Sequence, residues 1–297
     1  MSVSSGAILY TPGCVYLHDR MKTLFLVSAV AMVFASCSGS ATNDDASHSD
    51  TAAAMSRVKT ENVSFDLGGG TTSQSVVTFD EAASDKRPVV LILPEWWGLT
   101  EYPKNRAKQF AEMGYFAMAV DLYGNGKVAE TPDSAGALAG AFYSDPQMAK
   151  SRIDAALAKA RTYAQADPSK VILVGYCFGG GLALNAAKLG GDYTAVCSFH
   201  GSLKGVPPQK GTTKARIFVA HGAADANVPA EDVAQFKKGL DSTGTPYTFK
   251  EYADATHAFT NPAATETGKR LSMPIAYNAA ADSASWADMK AFLAEVF

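Results

Sequence analysis

Charge blocks, metal-ligand spacings and phosphate loops are missing from this chain, and cysteine and histidine are scarce in it. Of its 297 residues, four are cysteine and five are histidine. No C-x2-C pair and no H-E-x-x-H motif occurs, so a metal site has no signature. No G-x-x-x-x-G-K-[ST] loop is present to cradle a nucleotide phosphate. Lys and Arg together number 26 against 29 Asp and Glu, a net charge of −3 with no basic run. Nucleic acid, which selects for a basic patch, is excluded as a partner on that ground. The expectation is chemistry without metal or cofactor.

What is present is an ordinary globular composition, 47% hydrophobic and 19% charged, in a chain long enough to bury a full core. The front end reads differently from the rest. Met21 and Lys22 open a short charged segment, and the apolar stretch TLFLVSAVAMVFA that follows is too short for a comfortable bilayer span. It ends in Phe34-Ala35-Ser36-Cys37, which resembles the lipobox of bacterial lipoprotein signal peptides, with Phe34 where Leu is usual. An ordinary cleaved secretory signal is the other reading. Residues 1–37 are thus assigned to an upstream extension (the start being Met1 or Met21) and a signal peptide. Residues 38–58, rich in Ser, Ala, Asp and Thr, are assigned to a flexible tether, and 59–297 to one folded domain. The protein is expected to be exported to the periplasm or cell envelope, touching membrane only through a lipid on Cys37.

Along the folded part, NVSFDL and SVVTF around Gly68-Gly69-Gly70 predict a hairpin. The runs RPVVLILP, YFAMAVDLYG, KVILVGY, TAVCSFHG, ARIFVAHG and YTFKEY predict strands. Between them, EYPKNRAKQFAEMG, the stretch 144–167 with Asp145 as cap, FGGGLALNAAKLGG, PAEDVAQFKKGLDSTG and the C-terminal segment predict helices. Strands alternating with helices give an α/β fold, a mostly parallel sheet covered on both faces. Functional residues in such sheets collect at the carboxyl ends of strands.

Gly175-Tyr176-Cys177-Phe178-Gly179 lies at such an end and fits a G-x-S-x-G nucleophile elbow with Cys in place of Ser. At the head of a helix, the Phe178 N–H would meet a developing oxyanion, and the helix dipole would favour thiolate. Asp225 and His257 follow at two later strand ends, in the order acid then base that an elbow enzyme uses. His200 ends the adjacent strand, and whether it lines a pocket stays open; His221 reads as structural. Cys177 and Cys197 are expected as free thiols.

Taken together, LPEWWGL, DLYG, LVGYCFGGG, HGAAD with its following VP, and THAF resemble the dienelactone hydrolase family of α/β-hydrolases, from about residue 60 to the C-terminus. The resemblance implies Cys177 as nucleophile, His257 as base and Asp225 as acid. It also implies that Glu95 lies beside the thiol and helps to deprotonate or position it, and that the Trp96 N–H is the second oxyanion donor. Trp97 (or Trp96) and Tyr123 are either pocket walls or packing residues, Tyr123 with a hydroxyl to donate. Enzymes acting on dienelactone clamp its carboxylate with arginines. Here the stretch AETPDSAGALAGAFYSD, beyond DLYG, has no Arg or Lys, and HAFTNPAA offers only Asn261 at the second place.

The expected protein is a hydrolase of a small organic ester, lactone or thioester working through a thioacyl-enzyme. Acyl transfer or peptide hydrolysis with the same residues is the alternative, as is an envelope binding protein that kept the fold. If Cys37 is lipidated, Cys37→Ala should move the protein out of the membrane fraction; unchanged partitioning would refute the anchor.

Overall fold

The computed structural model describes residues 58–297; the upstream extension, the signal segment with Cys37 and nearly all of the tether lie outside the described residues. The chain enters on β1 (Val58–Asp66), which pairs antiparallel with β2 (Thr72–Asp80) in the register Val58 to Asp80. Gly68, Gly69 and Gly70 all take positive φ between the two strands, a backbone that glycine adopts without steric cost. Next come β3 (Arg87–Leu93), α1 (Glu101–Glu112), β4 (Phe116–Ala119), α2 (Pro132–Ser144), α3 (Pro146–Ala160) and β5 (Ala166–Tyr176). Then follow α4 (Phe178–Lys188), β6 (Ala195–Phe199), β7 (Arg216–Gly222), α5 (Ala230–Thr243), β8 (Tyr247–Tyr252), α6 (Ala264–Leu271) and α7 (Ala279–Val296).

The strands form one sheet of eight in the order β1-β2-β4-β3-β5-β6-β7-β8. β1 and β2 run antiparallel and the other six are mutually parallel. This is an α/β-hydrolase-like fold. Side chains alternate across the pleat. Val89, Leu91 and Leu93 face a core shared with Ile153, Leu157, Leu182 and Leu240 of α3, α4 and α5. Val90 and Ile92 face a second core with Phe110 of α1 and Met289 and Phe292 of α7. Because both faces are covered, β3 has only apolar residues after its first turn of pleat, and its last five are buried.

The structure departs from the sequence expectation in several places. β4 is four residues long, because the chain after Ala119 leaves the sheet and is held as a loop by Asp121, whose carboxylate accepts from the Gln74, Gly124 and Gly126 amides. The helix expected to reach residue 167 stops at Ala160, and β5 begins at Ala166 with a register shift against β3. α2 and α6 were not anticipated. α2 is built mostly of small residues and carries two glycines, so its amphipathic stripe reduces to Ala135, Ala139 and Phe142.

α2 is nonetheless well started: the Thr131 side chain accepts from the Ser134 amide, Ser134 answers the Thr131 amide, and Pro132 fills the first turn. Thr131→Ala should lower unfolding free energy by about 1 kcal/mol. An unchanged urea midpoint would show that the cap does not hold α2.

Candidate active site

The carboxyl ends of β3, β5, β7 and β8 converge on one pocket. At the end of β5, Cys177 sits between strand and helix with φ 53° and ψ −116°, a strained backbone for a residue with a side chain. The neighbouring glycines are required by contact. A Cβ on Gly175 would come within 2.1 Å of the Gly179 carbonyl oxygen, and one on Gly179 within 2.3 Å of the Leu93 carbonyl oxygen. The Gly179 amide instead donates to the Pro94 carbonyl at 3.0 Å, tying α4 to the end of β3.

Asp225 follows β7 and His257 follows β8. The Asp225 carboxylate accepts from His257 Nδ1 at 2.8 Å, and its other oxygen accepts from the Asn227 amide at 2.9 Å. His257 Nε2 lies 3.0 Å from Cys177 Sγ. Burial works against a charge on His257. The Cys177 sulfur as thiolate and the hydrogen bonds to Asp225 and Cys177 outweigh it, and hold the imidazole well above its usual range. The arrangement can therefore keep an imidazolium beside sulfur, or pass a proton between them.

Glu95, at the end of β3, faces the same pocket and is 3% exposed. Its partner is not the thiol: Asn261 Nδ2 donates to Glu95 Oε2 at 2.7 Å, while the sulfur is engaged by His257. Burial raises the Glu95 carboxyl to about 7, against the lowering effects of Asn261, His257 and Arg106. The Phe178 and Trp96 amides make no turn, loop or side-chain hydrogen bond among the described residues. Both residues line the pocket beside Cys177.

The pocket has a volume of about 280 Å³, walled by Trp96, Trp97, Tyr143, Phe178, Val228, Met273 and Ile275. Its polar lining is Glu95, Ser202, Asn227 and His257 with the thiol, and among the described residues it holds no Lys or Arg. Arg270 lines a neighbouring cavity of about 550 Å³ that shares Glu95, Trp97, Ala258 and Ile275 with the first.

Two residues whose place in the pocket wall the sequence leaves open lie elsewhere. Tyr123 is behind the wall: its ring packs on Phe142 and Phe178, and its hydroxyl donates to the Trp96 carbonyl at 2.9 Å. The aromatic body is needed there to fill the space under α2. His200 is 1% exposed and sits beneath the elbow. Its Nδ1 accepts from the Cys177 amide at 3.1 Å and its Nε2 meets Thr260 Oγ1 at 2.7 Å, so the ring carries its proton on Nε2. Burial, with the nearby His257 and Arg106 charges, holds it well below the usual range and neutral. Thr260 in turn bonds Tyr102 and, through its carbonyl, Arg106, which is paired with Asp282.

Trp96 and Trp97 both reach the pocket, packed edge to face with centroids 5.1 Å apart. His221 is largely buried at the end of β7 against Phe249, outside the pocket. Cys177 and Cys197 are free thiols, Cys197 fully buried in β6. Sequence patterning did not find Tyr143, Ser202, Asn227, Val228, Met273 and Ile275, because they lie on α2 and on loops with no periodic signal.

The model of the dienelactone hydrolase family matches residues 75–297. A solved structure of P91, described as a dienelactone hydrolase-like promiscuous phosphotriesterase from metagenomic libraries, is 29% identical with a TM-score of 0.75, covering 81% of this chain and 99% of that one. A relative from Methylorubrum extorquens that carries a carboxymethylenebutenolidase name is 27% identical over 183 residues, 58% of this chain and 63% of the relative, under two thirds of its length. Protein usf of Aquifex pyrophilus is 30% identical over 183 residues, 59% of this chain and 77% of that protein.

The Glu95 carboxyl gives a measurable signature. Raised from 4.5 to about 7, it binds its proton more tightly in the folded protein than in the unfolded chain. Its contribution to stability is therefore full below 4.5 and lost as pH rises to about 7. Between pH 4.5 and 8 the wild type should lose on the order of 3 kcal/mol that Glu95→Gln keeps. Parallel stability–pH curves for the two proteins would contradict this placement of Glu95.

Proposed function

The chain belongs to the dienelactone hydrolase family, and from that premise we propose that Cys177 is the nucleophile of a hydrolase, with His257 its base and Asp225 the residue that orients the base. The observation that carries this is the continuous file Asp225–His257–Cys177, at 2.8 and 3.0 Å, opening on an apolar pocket. The thiolate attacks the substrate carbonyl carbon, and the Phe178 and Trp96 amides donate to the oxyanion, each contributing about 3 kcal/mol. Collapse of the tetrahedral intermediate expels the alcohol or thiol, which takes its proton from His257. Water then gives a proton to His257 and attacks the thioacyl carbon, releasing the acid and the thiolate. Glu95 in its ionised form favours the protonated state of His257, consistent with their mutual charge interaction.

The substrate is an uncharged ester, lactone or thioester of modest size. Aromatic and aliphatic walls suit an apolar acyl group, and the lining offers no Lys or Arg to clamp a substrate carboxylate. Dienelactone, which carries one, is thereby disfavoured. The likeness to P91 makes an uncharged phosphotriester a second compound to assay. Export and anchoring through Cys37 remain part of the proposal. A polypeptide or an acyl acceptor other than water would use the same residues, and product analysis separates those outcomes.

Cys177→Ala and His257→Ala should each lower kcat/KM for p-nitrophenyl acetate by at least about a thousandfold. The wild type should also prefer that ester to p-nitrophenyl succinate, which bears a carboxylate. Absence of turnover together with a Cys177 thiol inert to iodoacetamide would sink the catalytic reading. A preference for the succinate would overturn the substrate class.

A further inference from the structure

Beyond the catalytic pocket, the group least explained by the fold is Lys188. It is the last residue of α4, at the end opposite Cys177, and is only 4% exposed. Among the described residues its ammonium has no carboxylate at ion-pair distance and no hydrogen-bond acceptor; it meets the face of the Phe236 ring, 5.1 Å from the centroid. A lysine on apolar surface normally carries its head out to water. This one opens into a cavity of about 410 Å³ between α4, α5 and the loop that follows β6. The stem is buried but Nζ is not sealed from solvent, so the ammonium faces the cavity rather than a protein counter-ion.

The cavity is built rather than incidental. The Val206 amide donates to Asn185 Oδ1 at 3.0 Å, which fastens the loop to α4. A Cβ on Gly205, at φ 126°, would come within 2.5 Å of the same Asn185 side chain, so the loop approaches as closely as its backbone permits. The one carboxylate in the lining, Asp232, is taken by Lys204 at 3.1 Å, leaving a single positive charge unmatched. Val206, Pro207, Pro208 and Phe236 supply apolar walls.

We propose that this cavity is a binding site for a small monocarboxylate with a compact apolar body, the carboxylate accepting from Lys188 and the body lying among Val206, Pro208 and Phe236. With Lys204 committed to Asp232, one unmatched charge suits a monoanion such as a carboxylate better than a phosphate dianion. Burial lowers the Lys188 pKa to about 8, so the empty site still holds mostly ammonium at neutral pH. A bound carboxylate would supply the counter-charge that the fold omits. The site stands independently of the chemistry at Cys177.

Titration calorimetry of the full chain with benzoate should show saturable binding, with none for benzamide or inorganic phosphate. Lys188→Met keeps the stem and removes an unpaired charge, so the variant should fold, and it should bind benzoate at least about tenfold more weakly. In the unaltered protein, benzoate should also move the side-chain NMR resonance of Lys188, identified by its loss in Lys188→Arg. Equal benzoate affinity in Lys188→Met, a Lys188 resonance that does not move, or no saturable binding to the wild type would each overturn the site.

Discussion

The close approach of α4 to the end of β3 is the constraint on which the site depends. The Gly179 amide reaches the Pro94 carbonyl, and Gly175 and Gly179 stack so tightly that neither tolerates a Cβ. That contact forces the intervening residue to turn at positive φ, which lifts the Cys177 side chain off the sheet toward the pocket. It also sets Phe178 at the first turn of α4 with an amide that, among the described residues, makes no turn, loop or side-chain hydrogen bond. Strain of this kind persists only where the surroundings over-determine it. Here they do so from below, because the Cys177 amide is held by both the Phe199 carbonyl and His200 Nδ1.

The support under the elbow is polar, which is unusual at such depth. His200, Thr260, Tyr102, Arg106 and Asp282 form a connected chain from the Cys177 backbone to α7. Arg106 closes the network with a hydrogen bond to the Thr260 carbonyl and with contacts to the Tyr102, Tyr176 and Trp286 rings. The five bonded members specify one geometry, while the hydroxyl of Tyr176, whose ring packs on Arg106, is buried without a partner. Thr260 lies three residues after His257, so the network that holds the elbow also holds the segment carrying the imidazole. Nucleophile and base are thus registered to each other by a shared support as well as by their own contact.

The parallel strands and most helices were legible because their apolar runs and caps are strong local signals; Asp145, for instance, accepts from the Met148 amide at the head of α3. Gly-Tyr-Cys-Phe-Gly located the elbow because steric exclusion leaves a mark in sequence as glycine. Spatial pairings left no such mark. Asn261 bonds Glu95 across 166 positions, and no spacing reveals that the carboxylate is engaged there rather than by the thiol. His200 sits at a strand end and Tyr123 in the loop beyond one, where function concentrates, and yet both serve as support. Position along a strand tells which end of the sheet a residue occupies, not whether its side chain points up into the pocket or down into the core.

The residues of the site divide by origin. Cys177, Asp225, His257 and Glu95 come from strand ends, whose positions are fixed by the sheet's hydrogen-bond register. The walls Tyr143, Met273 and Ile275 come from α2 and from the segment between α6 and α7, neither of which pairs in the sheet beyond the single bridge of His257 to Ile275. Wall residues can therefore change without disturbing the catalytic geometry, and one fold can carry the same chemistry to different substrates. Asn261 is the exception that ties the two sets together. Lying on the loop that carries His257, it donates to Glu95 and moderates a buried carboxylate where an arginine would have added a full charge. Asn261 lines the neighbouring cavity that shares Glu95 with the catalytic pocket, so a charged residue at this position would change the acidity of Glu95 as well as the charge of that cavity.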